Sequence, residues 1–269
     1  MTERITSRKN ELVRTAARLT QSAARRRESG LFLAEGARLC ADAARSGVPV
    51  RQLFFTARAA EKYASYLEPV REAAERSYEI ADPVADLLSG TDASQGVFCV
   101  CSMKKSRPLE ELPQTHCLAL ETVQDPGNLG TILRTAEALG LGSVLLAGEC
   151  CDVYSPKVLR ASMGAVFRLP VFFCGSLPEA LRALHERGFL SCAAVPDDSA
   201  LPVTRTDFSR PCLMAVGNEG NGLSAEAIAA CQRRVTIPML GRAESLNAAS
   251  SAAILMWEMM REGGARRGG

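Results

Sequence analysis

Asn128, Arg134, Glu219, Ser245 and Asn247 bring an amide, a guanidinium, a carboxylate and a hydroxyl to residues 121–247, on three segments built alike. The segments are Glu121–Arg134 (ETVQDPGNLGTILR), Ala215–Leu223 (AVGNEGNGL) and Ile237–Asn247 (IPMLGRAESLN). Each is entered from an apolar run and passes into a turn rich in Gly, Asn, Pro or Asp. Loops at strand ends are where α/β proteins keep ligand-binding and catalytic groups, so three of them predict one composite site. In the first, Asp125-Pro-Gly-Asn128 is a turn entering a helix. Arg134 lies off that helix's apolar stripe, within two turns of Asn128, and is expected to face the same space. In the second, the glycines of Gly217-Asn-Glu-Gly-Asn-Gly222 let backbone approach a ligand, and Glu219 stands among them. In the third, the hydroxyl of Ser245 and the amide of Asn247 meet a helix start.

These loops need strands and helices to carry them. Residues 117 onward supply strands at Cys117–Leu120, Ser143–Leu146, Pro170–Phe173, Leu190–Val195, Cys212–Val216 and Val235–Ile237. Helices intervene, among them Leu129–Leu139, with Leu129, Ile132, Leu133 and Ala136 in one stripe and Gly140 as its cap. A last helix is expected over Leu246–Glu262. Upstream, strands at Leu31–Ala34, Val50–Phe55 and Gly96–Cys101 alternate with helices at Ala37–Ser46 and Ala57–Arg76, a pattern that favours a mostly parallel, helix-covered sheet. The charged, proline-punctuated stretch Met103–Pro113 reads as a boundary.

The glycines run G-x-x-G-x-G and come late in the chain, no acidic residue follows at the dinucleotide distance, and no Walker lysine is present, which argues against a nucleotide-binding Rossmann protein. The ten cysteines contain no Cys-x-x-Cys, sit mostly in apolar runs, and share the chain with two histidines, His116 and His185, so no metal is expected. At 47% hydrophobic and 23% charged, with no run of 18 apolar residues and no signal-peptide core at the N-terminus, the composition predicts a cytoplasmic globular protein.

Net charge is only +2, but residues 1–27 hold eight basic side chains against two acidic ones. Arg14, Arg18 and Arg25 fall at helical spacing opposite Leu12, Ala16, Leu19 and Ala23. Such a stripe is either a solvated helix face or a row of phosphate contacts that draws in a polyanion without reading its sequence.

In order and separation, the three segments resemble the motifs of the SpoU (TrmH) family of RNA ribose 2′-O-methyltransferases, in the SPOUT superfamily. The resemblance covers residues 117–262 closely, and the upstream part is similar to a substrate-binding domain, with Phe32–Gly36 and Gln95–Phe98 as landmarks. It implies an α/β fold: a smaller N-terminal α/β RNA substrate-binding domain (1–103), a linker (104–114), a parallel-sheet domain with a deep trefoil knot (115–262) and a flexible tail (263–269). It further implies S-adenosyl-L-methionine held largely by backbone at Gly217, Ile237 and Leu246. Asn128, Arg134, Glu219, Ser245 and Asn247 would form the polar active-site set, RNA would be the partner with ribosomal favoured over transfer RNA, and the site would be completed across a homodimer. Arg134 matches the family's candidate base. A guanidinium keeps its proton at physiological pH, so the reading adopted is that Arg134 grips phosphate and steadies oxyanion charge, oriented by Asn128 and Glu219. A non-catalytic RNA-binding relative and a small-molecule methyltransferase are the competing readings; the intact polar set weighs against the first and the Arg-rich helix against the second.

Overall fold

A computed structural model of the chain describes residues 3–91, 93–242 and 245–265, with side chains to 261. The chain forms two compact units. One comprises Met1–Lys105 with Asp152–Phe167, the other Ser106–Cys151 with Arg168–Gly269.

The first unit contains β1 (Glu3–Ile5), α1 (Glu11–Gln21), α2 (Ala23–Ser29), β2 (Leu31–Glu35), α3 (Ala37–Arg45), β3 (Val50–Phe55), α4 (Ala57–Lys62), α5 (Ala64–Ala73), β4 (Ala74–Ile80), α6 (Asp82–Leu88) and β5 (Val97–Ser102). Its sheet runs β1-β4-β3-β5-β2. β1, β4 and β3 are parallel, whereas β5 lies antiparallel to both β3 and β2. Four strands, β1, β4, β3 and β2, thus run one way and β5 alone runs against them, so the sheet is mostly parallel with one reversed strand. β1 and β4 are strands beyond those expected, and the expected helix over 57–76 ends at Ala73. Beyond that point Tyr78 and Ile80 alternate into the core with charged neighbours, the period of a strand.

The basic helix is also two helices. Ser22 takes an extended conformation (φ −133°, ψ 115°) and its hydroxyl caps α2 by accepting from Arg25 N. Arg25 thus belongs to a different helix from Arg14 and Arg18, and it pairs with Glu28 at 2.9 Å. Val13, Ala16, Ala17 and Leu19 form the buried face of α1. Within the Arg25–Arg27 run, Arg26 is the buried one. It meets Asp152 at 2.7 Å and donates to the Leu19 carbonyl. Around it Phe32 stacks on Tyr154 (centroids 4.7 Å apart) and Phe167 (5.9 Å), so Asp152–Phe167, including α8 (Pro156–Ser162), completes this unit's core.

The second unit contains β6 (Cys117–Glu121), α7 (Pro126–Ala138) and β7 (Ser143–Ala147), then, after α9 (Ala165–Arg168), β8 (Val171–Cys174), α10 (Leu177–Glu186), β9 (Leu190–Ala194), β10 (Leu201–Pro202), β11 (Cys212–Val216), α11 (Ala225–Ala230), β12 (Arg233–Thr236) and α12 (Ala248–Ala265). Residues 266–269 of the expected tail lie outside the described residues. Every pairing in the seven-stranded sheet β10-β12-β9-β11-β6-β7-β8 is parallel. Apart from Glu121 at the end of β6 and Ser143 at the start of β7, the strands β6, β7 and β11 are apolar because both faces are covered, with Leu118, Leu145, Phe172, Leu181 and Leu213 fully buried. From β6 the chain steps outward through β7 and β8, then crosses to the other side with β9 and the edge strand β10, before β11 fills the place between β9 and β6. Strand order reverses between β6 and β11, which pair with Leu120 opposite Val216. Ligand crevices of open parallel sheets lie beyond the carboxyl ends of strands at such a reversal.

Candidate functional site

The first two loops leave β6 and β11 at that reversal. After β6, Thr122 adopts a left-handed conformation (φ 56°) that is costly for a branched residue, and it turns the chain toward α7. Asp125 caps α7 by accepting from Asn128 N at 2.7 Å, with Pro126 in the first turn. This fixes Asn128 on the opening turn of α7.

The second loop is a closed hairpin. Asn218 and Gly222 exchange backbone hydrogen bonds of 3.0 and 2.9 Å, and Asn218 Oδ1 accepts from Gly220 N and Asn221 N. Gly217 sits so close to the returning strand that a Cβ would lie 2.0 Å from the Gly222 carbonyl carbon. Only glycine fits there. Asn218 Nδ2 donates to Thr122 O at 2.9 Å, joining the second loop to the first. Glu121 makes a second joint: its carboxylate accepts from Ser224 N (2.7 Å) and Ser224 Oγ (2.8 Å) at the start of α11.

The third loop ends where Asn247 caps α12, its Oδ1 accepting from Ala249 N at 2.9 Å and Ser250 N at 3.3 Å. Its Nδ2 donates to Asn128 Oδ1 at 2.9 Å, and Asn128 Nδ2 donates to Glu219 Oε1 at 2.9 Å. One side-chain relay, Asn247–Asn128–Glu219, therefore runs through all three loops. Each Asn amide spends its oxygen on one neighbour and its nitrogen on another, which fixes its rotamer.

Beside the relay lies a cavity of about 450 Å³. Gly217, Ile237 and Leu246 line it, as do Glu219 and Ser245, with Val216, Val235 and Leu255 among its apolar walls. Its size and apolar walls with a polar edge suit a small organic ligand. All of residues 217–223 line it, and Gly217, Gly220 and Gly222 there carry no side chains to keep a ligand from the backbone. Nearby, Cys150 has its thiol pushed up by burial, with the Glu219 charge adding to the effect, so it stays protonated. Burial likewise pushes Cys117 and Cys231 up to about 12. All ten cysteines are free thiols, and among the described residues no group of three or more His, Cys, Asp or Glu is placed to hold a metal.

Four of the five expected polar residues thus meet at one place: Asn128, Glu219 and Asn247 in the relay, Ser245 in the cavity wall. Arg134 does not join them. It is exposed on α7 and, among the described residues, has no hydrogen-bond or ion-pair partner; Glu219 is engaged by Asn128 and Asn218 instead. Six positions at about 100° each place Arg134 some 120° round the helix from Asn128. Arg14 and Arg18 are exposed on α1, as is Arg25 on α2. Glu121 and Asn218 are the residues that sequence reasoning missed. The signal for Glu121 was a carboxylate closing an otherwise apolar strand.

Comparison with known proteins bears on this arrangement. Residues 115–257 match the SpoU rRNA Methylase family, and residues 10–99 match an MRM3-like substrate binding domain. The chain is 33% identical to the 23S rRNA (uridine(2479)-2′-O)-methyltransferase of Streptomyces viridochromogenes, over 88% of this chain and 85% of that one. It is 30% identical to the 23S rRNA (guanosine(2553)-2′-O)-methyltransferase RlmP of Bacillus subtilis, over 96% and 99%. Among solved structures it is similar to an AdoMet-bound rRNA methyltransferase from Sinorhizobium meliloti (TM-score 0.86, 30% identity, 97% and 98% covered). It is equally similar to the SpoU methyltransferase AviRb from Streptomyces viridochromogenes in complex with AdoMet (TM-score 0.85, 30% identity, 97% and 100% covered). Together with the three joined loops at the sheet reversal, these matches make the chain a member of the SpoU rRNA methylase family.

Proposed function

We propose that the chain transfers a methyl group from S-adenosyl-L-methionine to a ribose 2′-hydroxyl of 23S ribosomal RNA. The observation that carries this reading is the Asn247–Asn128–Glu219 relay, because Glu219 belongs both to it and to the cavity wall. The cavity fits the cofactor. Its backbone groups at 217–223 can bind a nucleoside and an amino-acid end, and its apolar walls can take the adenine. Gly217, Ile237 and Leu246 are the residues assigned to hold it.

The cofactor supplies an electrophilic methyl on a positively charged sulfur. The chain must then hold the ribose in line and let the hydroxyl proton leave as the new O–CH₃ bond forms. Asn128, fixed on both sides, orients the ribose. Ser245 and Asn247 fix the reacting ends. Arg134 grips a phosphate of the target nucleotide and steadies charge on the attacking oxygen, while a phosphate or water takes the proton.

Arg134 reaches that place from a second copy. Its exposure supports this, as do Ile254 (39% exposed) and Trp257 (58%) on α12, the helix packed against α7. A homodimer covering those apolar side chains would bring one protomer's Arg134 to its partner's cavity. The same reading carries the trefoil knot, supported by the return of the chain after β12 to start α12 beside α7. It also carries the domain limits 1–103 and 115–262, the RNA contacts of Arg14, Arg18 and Arg25, and action in the cytoplasm; among the described residues no helix is long and apolar enough to cross a membrane. The test is to incubate the protein with labelled S-adenosylmethionine and separated unmodified rRNAs. Label should enter 23S rRNA at a position that then resists alkaline cleavage. Label entering only 16S or transfer RNA, or remaining alkali-sensitive, overturns the reading.

A further inference from the structure

The first unit has its own cavity, of about 380 Å³, which shares no residue with the one between the loops. It opens where the landmarks Phe32–Gly36 and Gln95–Phe98 come together, with Glu35, Arg38, Leu39 and Gln95 on one side and Leu159, Arg160 and Met163 on the other. Nothing in the methyl-transfer chemistry uses it.

Its walls are built in advance. The Glu35 side chain, 10% exposed, accepts from Ser89 Oγ (2.8 Å), Gly90 N (3.0 Å) and Thr91 Oγ1 (3.0 Å). Gln95 Oε1 accepts from Ala37 N at 2.8 Å, and Gly36 holds φ +106°, which a side chain would strain. Met163, which ends α8 as its left-handed C-cap (φ 49°), is 39% exposed at the mouth.

Arg160 is engaged differently. Its only partner among the described residues is Glu35 at 3.8 Å, beyond hydrogen-bond reach, and its Nη1 is buried with no acceptor. Glu35 has already spent its oxygens on the 89–91 loop. The guanidinium therefore keeps donors unused beside apolar walls from Leu39, Leu159 and Met163, with Arg38 as a second cation at the rim. Apolar walls beside a guanidinium fork are the chemistry that takes a base turned out of its stack: the ring faces pack on the walls, and the base edge or its phosphate accepts from the arginine.

We infer that this cavity binds an unpaired base of the RNA substrate, distinct from the base whose ribose is methylated. The inference rests on the RNA reading above and adds a specificity pocket to it. The test uses the full chain with S-adenosylmethionine and a mixed-sequence single-stranded RNA hexamer carrying 4-thiouridine, cross-linked by light and mapped by mass spectrometry. Cross-links should fall on the peptides spanning residues 36–42 and 159–163. Leu39→Trp, which fills the cavity, and Arg38→Ala, which alters only an exposed side chain, should each lower the yield there. Leu39→Trp should raise KM for rRNA by about tenfold, the worth of one stacked base, and leave kcat and cofactor affinity near wild type. Cross-links confined to other surfaces, or a wild-type KM in both variants, would overturn the pocket while leaving the methyltransferase reading intact. Absence of methyl transfer by the wild-type protein counts against that reading, and the cross-link map still decides the pocket.

Discussion

The two sheets manage their polar groups in different ways. In the seven-stranded sheet, all-parallel pairing sends every strand's carboxyl end to one edge, and the reversal between β6 and β11 places two loops side by side there. The polar side chains at that edge are spent within it: Asn247 on Asn128, Asn128 on Glu219, Asn218 on the Thr122 carbonyl, Glu121 on Ser224. In the five-stranded sheet β5 runs against the other four strands, and cations stand with donors to spare, Arg14 and Arg18 on α1 and Arg160 at the cavity. The first arrangement suits a reaction that tolerates little displacement. The second suits a long anion that makes many weak contacts.

This contrast predicts a graded set of effects. The largest is expected for Gly217→Ala, because the new methyl would sit 2.0 Å from the Gly222 carbonyl carbon and force the hairpin open. Cofactor binding by calorimetry should be lost while far-UV circular dichroism stays near native; tight binding in this variant would mean the hairpin is not part of the cofactor site. Next comes Arg134→Ala, expected to cut kcat by about 10²–10³, as for loss of a donor to developing oxyanion charge. Mixed dimers formed with a cofactor-binding-defective partner should recover part of the activity, and only if Arg134 acts across the interface. Glu121→Gln should cost about 1–3 kcal/mol of stability, read as a lowered melting temperature, since the buried-side donors of Ser224 lose their carboxylate. The smallest effect belongs to Arg14→Ala with Arg18→Ala. Turnover at saturating RNA should be unchanged, and the slope of log affinity against log salt should flatten by about 1 per residue removed.

Much of the second unit can be read from the sequence because its buried strands are continuous apolar runs, as at Cys117–Leu120 and Cys212–Val216, each ended by a polar turn. The first unit is harder to read. β4 opens with Ala-Glu-Arg, a composition that continues the preceding helix, and β1 has three residues, too few to show a period. Arg26 looks like its neighbours in a basic run, and only the fold brings Asp152 to it from 126 residues away. Arg134 shows a further limit. Being off the apolar stripe tells which way a side chain does not point, and it leaves open which surface it serves. Asn128, Glu219 and Asn247 could be named from loop chemistry, but their relay depends on the strand order β11-β6, which no local pattern encodes.

The claim that the three loops act as one site is tested most directly by measuring methyl transfer and cofactor binding together in Asn128→Ala. Severing the relay at its middle should drop single-turnover transfer to rRNA by about 10²-fold or more, the scale of losing a group that aligns the reacting atoms, with S-adenosylmethionine affinity held within about a factor of three. Transfer at the wild-type rate would contradict it.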